Sequence, residues 1–196
     1  MRSRIRQLVV SCLVLGVGVG LLLLAALGSD GYSTLVNGTS IALGVPFLLA
    51  NTAIGVVLVA LAWWPGLTPG PGTLVQPVLV GATLSAVLAV FDTPDQLGVR
   101  ATFLVVAFPV LALGVAGYLG SATGAGPTEA AALAFDPPVP FRWSYTAVQC
   151  GGAVVGWLLG AAIGPGTLLV IALLGPAVDL LSRRVPGLDV AGVVRR

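Results

Sequence analysis

The chain has 196 residues, 57% of them hydrophobic and 8% charged, with a net charge of +2 and a mean hydropathy of +1.06. A soluble domain typically carries about 25% charged residues, so this chain cannot cover a water-facing surface; stretches 31–91, 101–128 and 143–178 hold no Asp, Glu, Lys or Arg at all and belong in a bilayer. There is no histidine or lysine, which removes the usual general base, the commonest metal ligand and any Schiff-base nucleophile, and the arginines gather toward the two ends, which does not point to nucleic-acid binding.

Arg2, Arg4 and Arg6 precede an apolar run over 8–27. Twenty residues at about 1.5 Å rise span roughly 30 Å, the hydrocarbon thickness of a bilayer. The run exceeds the roughly 7–15 residues of a signal peptide's apolar core, so it reads as a first transmembrane helix. Gly16 and Gly20 form a GxxxG pair, a pattern that lets a second backbone approach closely. Packing within the chain is the first use of such a pair, and a homo-oligomer through Gly-rich helix faces is the second.

Residues 28–43 break this helix. Gly28, Ser29, Asp30 and Gly31 make a turn, followed by a short helical piece over 32–36. This segment either lies at the interface or re-enters the membrane. Asp30 stands where it can cap that piece or contact a ligand. A second span is expected over 41–64, with Asn51 and Thr52 inside it and Trp63 and Trp64 at the interface. A Pro/Gly turn at 65–72 leads to a third span, 73–91, with Pro77 near its start.

After an acidic loop and Arg100, a fourth span is expected over 101–120. A second break covers 121–142, with a short helical piece at 128–135. Glu129 follows Pro127, and either caps that piece or contacts a ligand. Asp136 to Pro140 stops any helix. The fifth span, 147–163, carries Gly152, Gly156 and Gly160; the sixth is 167–181. Asp179 falls within it, four residues before Arg183, so the two are expected to pair near the headgroups. Cys12 and Cys150 lack metal-ligand spacing and read as buried small residues.

The chain repeats itself. Gly70-Pro71-Gly72-Thr73-Leu74 recurs 94 positions later as Gly164-Pro165-Gly166-Thr167-Leu168, each after a segment with a matching tryptophan, Trp63 and Trp157. Gly28-Ser29-Asp30-Gly31 lies 96 positions before Gly124-Ala125-Gly126-Pro127. The repeats cover about 7–92 and 100–184. Three spans per unit force the two copies into opposite orientations, an arrangement common among transporters. Six spans put both termini on one side; that side carries eight arginines and the other only Arg100, so both termini are expected to be cytoplasmic.

The two repeated turns are the leading candidates for a binding site. Glycine and proline at a helix start expose backbone amides beside the positive end of the helix dipole. Gly70, Gly72, Thr73, Gly164, Gly166 and Thr167, with Asp30 and Glu129, form the candidate set. The bland reading of the turns is a tight connection that needs glycine for close packing. No nucleotide fingerprint, metal cluster or nucleophile–base pair occurs; no cofactor, no metal and no enzymatic activity are expected.

The pattern resembles the YczE/YitT type of bacterial integral membrane protein, and more the YczE branch. The likeness rests on Gly28 through Leu35, on Tyr118-Leu119-Gly120 followed by Gly124-Ala125-Gly126-Pro127, and on Gly164 to Leu168 running into Leu174-Gly175-Pro176. It covers residues 7 to about 184. This chain has Asp30-Gly31-Tyr32 where that family tends to Asp-Pro-Trp, and Gly81-Ala82 where it often has Gly-Pro. The resemblance implies a polytopic plasma-membrane protein, with no substrate and no ligand residues to carry over.

The expected protein is therefore an all-α membrane protein of six transmembrane helices in two inverted three-helix repeats, with broken or re-entrant segments. The expected partner is the lipid bilayer. Its expected activity is that of a small-solute or ion transporter with a site between the repeats; the alternative is a non-transporting scaffold for another membrane complex.

Overall fold

The structure, a computed structural model, describes residues 2–63, 70–136 and 138–188. Among these residues there are eight helices and no strand: α1 (Arg2–Ala25), α2 (Gly31–Leu43), α3 (Phe47–Trp63), α4 (Pro71–Val90), α5 (Leu97–Gly120), α6 (Pro127–Leu133), α7 (Phe141–Leu158) and α8 (Pro165–Arg184). Most of the Pro/Gly turn expected at 65–72, Pro137 of the second helix stop, and Arg195 and Arg196 of the tail lie outside the described residues. Each half runs in the same order: a long helix, a short one, and two of intermediate length.

The second expected span is not one helix. α2 runs on past Val36 to Leu43, where Gly44 takes a left-handed conformation at φ 63° and its amide bonds back to Ile41 O and Ser40 O. Pro46, which lacks an amide hydrogen, then opens α3, and the amide of Ala50 bonds to its carbonyl. A left-handed glycine followed closely by proline is a strong helix stop and restart, and it outweighs the unbroken apolar pattern on either side. Four helices, α1, α4, α5 and α8, are long and apolar enough to cross a membrane. α3 has 17 residues, about 26 Å at helical rise, and α7 turns the polar side chains of Ser144, Tyr145 and Gln149 inward.

α1 and α5 form the spine of the molecule. They run antiparallel: Ser11 meets Gly117, Leu15 meets Gly114, and Gly18 meets Leu111. Leu8, Cys12, Leu15 and Leu22 pack with Leu111, Val115 and Leu119 there, and Val170, Leu174 and Val178 of α8 complete the core. α4 lies along α1, and α2 lies along α7. The GxxxG faces are filled within the chain. Gly16 and Gly20 of α1 face Thr83 and Val87 of α4, and Gly152 and Gly156 of α7 face the carbonyls of Gly31 and Thr34 of α2. Cys12 is buried as expected, but Cys150 is exposed, because α7 presents Gln149 to α2 and so turns its next residue outward.

Arg100, at the start of α5, donates through Nε to Ala25 O at 2.8 Å and through a terminal nitrogen to Ala26 O. These are free carbonyls at the end of α1, where a cation complements the helix dipole. Asp179 pairs with Arg183 at 3.1 Å, as its spacing suggests, and also lies 3.9 Å from Arg142.

Candidate functional site

Each repeated turn docks on the break of the other half. The amide of Gly72 donates to Thr123 O at 2.8 Å, and the amide of Gly166 donates to Leu27 O at the same distance. On either side of each acceptor the backbone turns left-handed: Ala26 at φ 47° and Gly28 at 107° flank Leu27, and Ala122 at 52° and Gly124 at 130° flank Thr123. A Cβ on Gly28 would sit 2.5 Å from Thr167 Oγ1; one on Gly124 would sit 2.8 Å from Thr73 Oγ1. Each threonine accepts from the amide at its own helix start, Gly70 to Thr73 at 3.2 Å and Gly164 to Thr167 at 3.3 Å.

The amides of Gly70, Gly72, Gly164 and Gly166 are thus engaged inside the fold. The two turns work as clasps, which is the close-packing role that glycine serves there. With α1 and α5 antiparallel, the clasps lie at opposite ends of the spine.

The breaks lead their chains inward, and the heads of α2 and α6 meet polar groups there. Asp30 caps α2, its Oδ2 accepting from Ser33 N at 3.0 Å, as the sequence suggests. Gln149 of α7 accepts from Tyr32 N at 3.0 Å and donates to Tyr145 Oη at 2.8 Å. The Tyr32 hydroxyl donates to Asn51 Oδ1 of α3 at 2.9 Å. Gln149 is 2% exposed and Tyr145 likewise 2%; the row holds because each polar atom has a partner, the condition for polar burial.

At the head of α6, Glu129 is 6% exposed. Its carboxyl meets the Tyr118 hydroxyl and its own backbone amide, and Asp30 lies within electrostatic reach. Tyr118 Oη in turn accepts from Gly126 N at 3.1 Å. Gln76 of α4 points into the same place, and its Oε1 is buried without a hydrogen-bond partner. Glu129 therefore faces a polar centre between the halves, with the Asp30 cap within electrostatic reach of it, while the six turn residues hold the frame around it.

The amides and tyrosines of this centre, Gln76, Gln149, Asn51, Tyr118 and Tyr145, are absent from the sequence-derived set. A usable signal was present: Asn51, Gln76 and Gln149 sit in the charge-free stretches, where a strong hydrogen-bonding side chain is costly unless paired.

A family model described as a family of unknown function, DUF6198, matches residues 2–183, and the chain belongs to that family. An uncharacterized protein of Haemophilus influenzae is 28% identical over 171 residues, 85% of this chain and 77% of that protein. No solved structure matches. The long apolar helices mark a membrane protein, and neither the family nor this relative carries a named activity.

Proposed function

We propose that the protein is a small-solute or ion transporter of the plasma membrane, with its site at the polar centre between two inverted repeats. The observation that carries this reading is Gln76 Oε1, an unpartnered acceptor beside a buried carboxyl at the meeting point of two broken helices. Broken helices that meet between repeated halves are the usual build of a transport site. The antiparallel run of α1 and α5 supports inversion. Packing supports a molecule with one side open: α7 packs on α8, while α3 and α4 make almost no contact among the described residues.

In this reading α3 and α7 complete a set of six spans, both termini are cytoplasmic, and the chain is a YczE-like member of its family that performs no covalent chemistry. Asp30 and Glu129 face the solute. Gly70, Gly72, Thr73, Gly164, Gly166 and Thr167 hold the frame that the halves move against.

The test is a thermal-stability screen of the purified protein against anions, cations, amino acids and small metabolites. A ligand that binds only the folded state raises Tm by mass action. The expected result is a shift lost in Gln76→Leu, followed by flux of the same compound in liposomes. Absence of both shift and flux would turn the assignment to the scaffold alternative.

A further inference from the structure

We propose that Glu129 is a proton-binding site, held as the neutral acid with its O–H donated to Gln76 Oε1. Glycine at 126 leaves the space, and the two oxygens converge on it: a Cβ there would lie 2.8 Å from Gln76 Oε1 and 2.9 Å from Glu129 Oε2. Two acceptor oxygens facing one spot repel unless a hydrogen or a cation lies between them. Burial disfavours a bare carboxylate, and among the described residues no cationic side chain answers this one. The chain has neither lysine nor histidine. Among the described arginines, Arg100 holds the end of α1, Arg142 and Arg183 pair with Asp179, and Arg2, Arg4, Arg6 and Arg184 are exposed.

The titratable groups within electrostatic reach of Glu129 are Tyr118 of α5, Tyr145 of α7, Cys12 of α1, and Asp30 and Tyr32 at the head of α2. All are acids, so none supplies a positive charge. The described parts of α3 and α4 bring no titratable side chain. A proton placed between Glu129 and Gln76 satisfies the orphan acceptor and neutralises the carboxyl together. When water reaches the site, the O–H bond breaks, the proton passes to that water and the carboxylate remains. Coupling of this release to solute movement rests on the transport reading; occupancy by the proton does not.

Infrared spectra of the purified wild type in detergent, at neutral pH and without added solute, test the site directly. The expected spectrum shows a protonated-carboxyl C=O stretch that moves in D2O. It is lost in Glu129→Gln, kept in Asp30→Asn and shifted to higher frequency in Gln76→Leu, where the O–H has lost its acceptor. Should Glu129→Gln fail to fold, the shift in Gln76→Leu decides. No such band in the wild type would overturn the proposal, since Glu129 would then be ionised and Gln76 turned over to donate its amide. A band that vanishes on adding sodium or potassium chloride would overturn it too, in favour of a metal-cation site. A band that persists in a protein without flux would fail the transport reading and leave the proton site standing.

Discussion

The heads of α2 and α6 are built on the same clasp and carry their acids differently. In α2 the acid, Asp30, is the capping residue, and its oxygen accepts from Ser33 N. In α6 the capping position is Gly126, and the acid stands three residues on, at Glu129, the place that Ser33 occupies in α2. That displacement turns one carboxyl to the helix end and the other to Tyr118 and Gln76. On the opposing helix, Gln76 stands where the other half has Val170. The repeated positions hold the frame, and the departures from repetition place Glu129 beside Gln76 and Tyr118.

The largest effect is expected from straining the two clasps. Gly28→Val and Gly124→Val each force a β-branched side chain into a left-handed conformation against the opposing turn. The expected loss is about 2–5 kcal/mol each, alike within about 1 kcal/mol, read by denaturant unfolding in micelles. A large loss at one clasp alone would mean that they are not equivalent.

Gln76→Val makes the first half match the second. Removing the acceptor of the Glu129 hydroxyl should cost about 1–2 kcal/mol at neutral pH. Val170→Gln, the reverse exchange, gains no acid to pair with and should destabilise by a similar amount through burial of an amide. Equal stability of wild type and Gln76→Val would mean that Glu129 and Gln76 are not bonded.

Asp30→Ala removes the cap of α2 and should cost about 1 kcal/mol, while Ser33→Ala at the matched place should change little. Asp179→Asn, which loosens two partly exposed ion pairs, is expected to lie within about 0–1 kcal/mol. Both are read from Tm in detergent.

Much of this was legible in the chain. The charge-free stretches implied the membrane, the pentapeptide pair located both clasps, Asp30 announced its cap, and the spacing of Asp179 and Arg183 gave their ion pair. What the repeated turns bind was not legible. A glycine-rich helix start reads alike whether its amides await a solute or another strand of backbone, and only the fold shows that Leu27 O and Thr123 O take them. The break at Gly44 was hidden for a related reason: the helices on both sides are apolar, so hydropathy ran across a stop that lies in the backbone. Glu129 was in the candidate set on its own, because the partners that define its environment come from α4 and α5.

The crossed clasps also bear on how the molecule is made. The first half emerges from the ribosome with the amide of Gly72 lacking its acceptor, since Thr123 has not yet been synthesised. Thr123 closes one clasp, and Leu27 then waits for Gly166 at the start of α8. In lipid an unsatisfied backbone group costs several kcal/mol, so neither half is complete by itself. The protein should mature as an interlocked pair, and two separately expressed halves should escape degradation only when they are made in the same cell.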